Sequence, residues 1–278
     1  MTTTRRVETA DGLELHVTDS GSVDDPTVVF IHGWPDTHIV WRNQVQACVD
    51  AGYRVITYDQ RGFGKSDVPA DLDGFHVFKA MVDVGTILDA FDIADAHLVG
   101  HDWGAAPAWL TASFAPERVR SLTAVSVGHP LAFRSAGLEQ RQRSFYMLLF
   151  QFEEIAEEWL MADEWANFRE LLRNPADVDE RIAELARPGA LTASLNWYRA
   201  NVHPRELIKP PADLPNVDVP VMGVMGEDDW ALLPKQMTDS EAYVESTWRY
   251  EVVADAQHWV QTEQPDAFNA LLVDWISS

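Results

Sequence analysis

The sequence predicts an α/β fold: a mostly parallel sheet with helices on both faces, interrupted by one long helical insertion. Three observations carry this expectation. Strand and helix signals alternate through the first 127 residues and resume after residue 219. Several strand signals are unbroken β-branched runs, the pattern of strands buried on both faces. Between the two stretches, residues 131–211 carry no strand pattern.

Residues 6–10 and 13–20 read as two strands joined at Asp11-Gly12, a pair that favours a hairpin. Residues 26–31 are the first buried strand, and helical spacing follows over 40–51. A second buried strand, 54–59, runs into a loop punctuated by Gly62 and Gly64. A helix is expected over 78–91, a strand over 96–99, a helix over 103–114 and a strand over 119–127. The insertion is rich in Leu, Ala, Glu and Arg at helical spacing, with breaks at Asn174-Pro175 and Pro188-Gly189. The last third predicts a strand over 219–224, a helix near 234–244, a strand over 248–253 and a helix over 261–275.

Forty-four acids against 21 bases give a formal charge of −23. So acidic a protein repels phosphate backbones and anionic headgroups, which excludes nucleic acid and membrane surfaces as natural partners. Residues 153–187 hold 11 of the acids and 4 arginines, so nearly a third of the net charge sits on the insertion. A substrate entering past it is expected to be neutral and apolar. Cys48 is the only cysteine, reads as a buried thiol in a helix, and fits a reducing compartment. Neither a leader nor an apolar run long enough to span a bilayer is read from the sequence, and a cytoplasmic location is expected. No CxxC, HExxH or phosphate-loop pattern occurs, so no metal and no cofactor is expected.

The sharpest signal is Leu98-Val-Gly-His-Asp-Trp-Gly104, in which a buried strand reaches Gly100-x-Asp102-x-Gly104 and a helix starts at once. This has the form of a nucleophile elbow, with Asp where Ser is commoner. The glycines permit a tight turn that leaves the Asp102 side chain clear, with the helix N-terminus beneath it. The blander reading is an Asp that only caps the helix. An Asp nucleophile narrows the chemistry. Attack on an sp³ carbon by Ser would leave an ether that water cannot readily cleave. A carboxylate leaves an ester instead, whose carbonyl can be hydrolysed.

These motifs resemble the α/β-hydrolase family, specifically its epoxide hydrolase branch, close to the haloalkane dehalogenases. The resemblance spans essentially the whole chain. Its further marks are His32-Gly33-Trp34-Pro35, Asp59-Gln-Arg-Gly-Phe-Gly-Lys-Ser66, Gly226-Glu-Asp-Asp229 and Gln257-His258-Trp259. It implies an α/β-hydrolase fold with a mostly parallel eight-stranded sheet and a helical cap inserted after the sixth strand. Residues 1–130 and 212–278 would form the core, and 131–211 the cap. It implies Asp102 as nucleophile and His258 as general base. The spacing G-x-x-D selects Asp229 to orient the histidine, with Asp228 as the alternative. Some dehalogenases place this acid one strand earlier. Here that strand ends Val125-Ser-Val-Gly-His-Pro130, without a carboxylate. The oxyanion donors would be the backbone N–H groups of Trp34 and Trp103, with a cis bond before Pro35. His101 is expected to support packing or the turn, and His32 to hold its own loop.

An opening epoxide develops an alkoxide, which needs an acid still protonated at neutral pH, and tyrosine fits. The two tyrosines of the insertion, Tyr146 and Tyr198, lie in segments that resemble the two tyrosine-bearing segments of the epoxide hydrolase cap. The implied function is conversion of an epoxide to a vicinal diol through an aspartyl ester, with a role in detoxification. Trp34, Trp103, Trp197 and Trp259 adjoin these positions and are expected to line an apolar pocket for a small neutral apolar epoxide. Haloalkane dehalogenation by the same nucleophile is the alternative, with the Trp103 indole as halide donor. Against it, Trp34 stands where dehalogenases commonly carry Asn. A non-catalytic small-molecule binding protein is the alternative of another class, and the intact Asp-Asp-His set argues against it. A monomer or a homodimer is expected.

Overall fold

The computed structural model describes residues 2–211 and 213–278. Met1, the start of the predicted core, and Ala212, the start of its second part, lie outside the described residues. The eight strands are β1 Thr2–Glu8, β2 Glu14–Ser20, β3 Thr27–Ile31, β4 Arg54–Tyr58, β5 Ala96–His101, β6 Val119–Val125, β7 Val221–Gly226 and β8 Trp248–Val253. They form one sheet in the order β1-β2-β4-β3-β5-β6-β7-β8. β1 and β2 pair antiparallel, as do β2 and β4, and all other pairs are parallel. The hairpin bends as its sequence requires, with Gly12 at φ +83°.

The helices are α1 Arg42–Asp50, α2 Val77–Ala90, α3 Ala105–Phe114, α4 Pro130–Ser135, α5 Leu138–Arg143, α6 Phe145–Leu149, α7 Ile155–Leu171, α8 Val178–Leu185, α9 Ala190–Asn201, α10 Pro234–Thr238, α11 Val260–Glu263 and α12 Pro265–Ile276. Helices cover both faces because the side chains of the central strands alternate. Val28 and Phe30 of β3 join one buried cluster with Cys48 of α1 and Phe268 of α12. Val29 and Ile31 join the other, with Val84 and Ile87 of α2 and Ala105 and Trp109 of α3.

The predicted helix near 234–244 is a single turn, α10, followed by a 3₁₀ segment, Asp239–Tyr243. The predicted helix over 261–275 divides at Gln264, because the residue before Pro265 is pushed out of the helical region, here to φ −132° and ψ 61°. The insertion between β6 and β7 is helical, from α4 to α9, and it breaks around both Asn174-Pro175 and Pro188-Gly189. It also kinks inside α7, where Asp163, Glu164 and Trp165 all have positive φ. Among the described residues no helix is long and apolar enough to cross a membrane.

Two features seat the insertion over the sheet. Arg61, in the loop after β4, is 1% exposed and grips both carboxylate oxygens of Asp83 on α2 at 2.7 Å. Its carbonyl accepts the indole N–H of Trp197 on α9 at 3.1 Å. Removing one partner of such a buried pair typically costs about 3–5 kcal/mol, so the loop geometry is strongly held. On the other side, Trp34 donates its indole N–H to Ser194 of α9 at 3.1 Å. The strand order reverses around β3, so the loops after β3 and β5 lie side by side at the carboxyl edge of the sheet.

Candidate active site

At that edge the chain turns sharply from β5 into a 3₁₀ turn, Asp102–Gly104, and then α3. Asp102 itself has φ +51°, a conformation that non-glycine residues rarely adopt. Its side chain is pressed against the loop after β3, and a Cβ on Gly33 would lie 2.5 Å from the Cβ of Asp102. A Cβ on Gly104 would collide with the Ile31 carbonyl. Only glycine fits at these two places.

Asp102 Oδ1 accepts the backbone N–H of Trp34 at 2.8 Å, and the backbone N–H of Trp103 lies near enough to the carboxylate to favour its charge. The Trp34-Pro35 bond is cis. His32 secures this loop from below. Its Nδ1 donates to the Gly33 carbonyl at 2.9 Å, and its Nε2 accepts the Gln60 N–H at 2.9 Å.

His258 Nε2 lies 3.8 Å from Asp102 Oδ2, at ion-pair range but beyond a hydrogen bond. Its Nδ1 is 3.0 Å from Asp229 Oδ2. Asp229 Oδ1 accepts the N–H groups of Ala231 at 2.9 Å and Leu232 at 3.0 Å, which fixes the carboxylate. Asp229 is buried, whereas Glu227 and Asp228 beside it are exposed. The His258 carbonyl is anchored by His101 Nε2 and by the Ser126 hydroxyl, both at 2.9 Å. Burial pushes His101 down to about 4, so its ring is neutral at pH 7.

The charges interlock. Burial alone would raise the Asp102 carboxyl, but His258 outweighs it and holds the group below the usual range. Burial would lower His258, but Asp229 and Asp102 outweigh it and raise the imidazole to about 10. At rest the site is therefore an imidazolium between two carboxylates.

Tyr146 of α6 and Tyr198 of α9 face this group, with ring centroids 6.0 Å apart at 81°. Both phenols are pushed well above 10, first by burial and then by the Asp102 charge, so both keep their protons. The Trp103 ring meets Tyr198 edge-on, with centroids 5.2 Å apart at 86°. The pocket holding Asp102, His258 and both tyrosines measures only about 10 Å³, space for roughly one water. Trp34 and Trp259 line it, while Trp103 and Trp197 stand outside that lining. Trp230 lines it too and was not singled out by the sequence reading. It directly follows Asp229, which is the signal that could have found it. Trp230 and Leu171 separate this pocket from an outer cleft of about 420 Å³ bordered by Phe145 and Trp159.

One group among the described residues has ligand atoms near enough for a metal: His16, His38 and Asp59, within 4.8 Å of one another. Its carboxylate is already engaged by His38 Nδ1 at 2.6 Å and by the backbone N–H groups of His38 and Lys65. It reads as a loop fastener.

An eight-stranded sheet of this order, with an acidic elbow after β5 and a histidine after β8, defines an α/β-hydrolase. The chain belongs to that superfamily and to its epoxide hydrolase branch: the profile of the alpha/beta hydrolase fold family matches residues 26–265. The AB hydrolase superfamily protein YfhM of Bacillus subtilis is 32% identical over 279 aligned residues, covering 96% of each chain. Epoxide hydrolase A of Mycobacterium tuberculosis is 31% identical, covering 99% of this chain and 97% of its own. Among solved structures, epoxide hydrolase A from Mycobacterium thermoresistibile superposes with a TM-score of 0.80 at 27% identity, covering 100% of this chain and 99% of its own. A structure described among novel epoxide hydrolases from hot-environment metagenomes superposes at 0.86, also at 27% identity, covering 99% and 98%.

The raised histidine has a checkable consequence. Its unfolded value is 6.5 and its folded value about 10, so its contribution to stability is complete below pH 6.5 and is lost as pH rises through 10. Urea unfolding of the wild type should weaken over that window. Asp102→Asn should flatten the loss, and ring-nitrogen NMR should show the His258 pKa falling in that variant.

Proposed function

We propose that the protein hydrolyses an epoxide to a vicinal diol through an ester on Asp102. The observation that carries this is the pair of buried, protonated tyrosines over the carboxylate. Oδ1 is engaged by the Trp34 N–H, which leaves Oδ2 to attack a ring carbon. The ring C–O bond breaks as the new C–O bond forms; Tyr146 and Tyr198 both hydrogen-bond the departing oxygen, and one of them gives it its proton. Esterification removes the Asp102 charge, one of the two that hold the proton on His258. Passing that proton through solvent to the tyrosinate leaves a neutral His258, oriented by Asp229, to take a proton from water. The water attacks Cγ of Asp102. Charge then collects on Oδ1, facing the Trp34 and Trp103 N–H groups; collapse breaks the Cγ–Oδ2 bond, the leaving diol oxygen takes the proton held by His258, and the regenerated Asp102 carboxyl returns its own proton to His258.

Halide release needs N–H donors and no acid. The Trp34 indole N–H is already given to Ser194, and Trp103 stands outside the lining of the pocket, which disfavours the dehalogenase reading. Around the reacting groups the lining is aromatic and aliphatic, which suits a neutral apolar substituent. We assign residues 131–211 the role of a cap, because both tyrosines come from it.

His258→Gln should trap the ester, visible by intact mass spectrometry as enzyme plus one substrate. Asp102→Ala should form no adduct and no diol. Tyr146→Phe with Tyr198→Phe should slow epoxide opening by at least about 10²-fold, in the range of general acid catalysis; an unchanged rate would sink the epoxide reading. Because Trp230 walls off the outer cleft, Trp230→Ala should raise kcat/KM for a bulky aryl epoxide about tenfold, equivalent to about 1.4 kcal/mol, relative to a short aliphatic one. Parallel rate assays on the two substrates check this.

A further inference from the structure

Asp36 lies two residues beyond Trp34, in the loop after β3, and the chemistry above leaves it without a task. Its Oδ1 accepts Nε–H of Arg181 on α8 at 2.7 Å, and its Oδ2 accepts the indole N–H of Trp259 at 2.8 Å. The Arg181 guanidinium lies over the Trp259 ring, 4.1 Å from its centroid. Asp36, Arg181 and Trp259 are 5%, 4% and 1% exposed. One buried carboxylate thus joins three parts: the loop that presents the Trp34 N–H, the neighbour of His258, and a helix of the insertion.

Stability is a poor reason for this arrangement. Desolvating two charges offsets most of their attraction, and an apolar trio of similar volume would often serve as well. The guanidinium is also incompletely satisfied. Its Nη atoms make no well-formed hydrogen bond, although Nη1 is 3.2 Å from Asp177 Oδ1. What the trio supplies is geometry. The fixed hydrogen-bond directions tie the loop after β3 both to Trp259 and to α8.

We propose that Asp36 and Arg181 are positioning residues that couple seating of the insertion to ester hydrolysis, and this rests on the aspartyl-ester reading. Hydrolysis needs both the Trp34 N–H, for the charge on Oδ1, and a correctly aimed His258. Ester formation needs neither His258 as a base nor a developing oxyanion there. Loss of the trio should therefore slow the second half-reaction more than the first.

Rapid-quench single turnover with excess enzyme, followed by intact mass, reads both half-reactions. Asp36→Asn should lower the rate constant of ester hydrolysis about tenfold relative to that of ester formation, so that ester accumulates. Arg181→Met should produce the same imbalance, and the double variant should add little, as expected for residues acting as one unit. If Asp36→Asn fails to fold, Arg181→Met carries the test. A merely structural role would lower the fraction of active enzyme and Tm but leave the ratio of the two rate constants at the wild-type value, and that result overturns the proposal. A wild type that forms no ester overturns the ester reading, and this inference with it.

Discussion

The structure depends on one contact: Asp102, at φ +51°, wedged between the end of β5 and the loop after β3. An L-residue held there is strained, and surrounding packing must impose the conformation. Gly33 and Gly104 make the approach possible, because a Cβ on either would meet the Asp102 side chain or the Ile31 carbonyl. The neighbouring positions of β3 and β5 in the sheet bring the two loops to the same place. The elbow therefore requires the sheet order, and the Trp34 N–H reaches the carboxylate only because Gly33 lets the loop close in.

Electrostatics builds on that contact. Asp102 and His258 are buried together, and each shift has its cause in the other charged groups of the site. Asp102 stays ionised because His258 is near, and His258 keeps its proton because both carboxylates are near. In a poorly solvated site such couplings are stronger than in water. In the proposed ester mechanism this coupling would time the reaction: neutralising Asp102 removes part of what holds the proton on His258, at the step where that mechanism needs a neutral base. The tyrosines sit at the opposite limit, kept protonated by burial and by the carboxylate beneath them.

Much of this was legible in the sequence because it is local. The Asp102 elbow, Asp229 after β7 and His258 after β8 each announce themselves by a short motif at a strand end. The two-faced sheet is visible because apolar runs mark doubly buried strands. What was not legible depends on distant contacts or on backbone strain without a marker. Asp36 and Arg181 are 145 positions apart, and nothing near either one predicts the other. The kink at Asp163–Trp165 contains neither Gly nor Pro to signal it. Trp197 adjoins a site residue in sequence, yet its indole turns to the Arg61 carbonyl and holds the insertion down. The break before Pro265 could have been read, since proline restricts its predecessor.

The mechanism proposed above gives the bond-making step to the carboxylate of Asp102 and the role of water to its release. A single turnover in ¹⁸O-water, with excess enzyme and an epoxide, separates that account from direct attack by water. The diol should leave unlabelled, carrying an oxygen from Asp102, and ¹⁸O should appear in the peptide that contains Asp102. Label in the diol and none in that peptide would contradict the account.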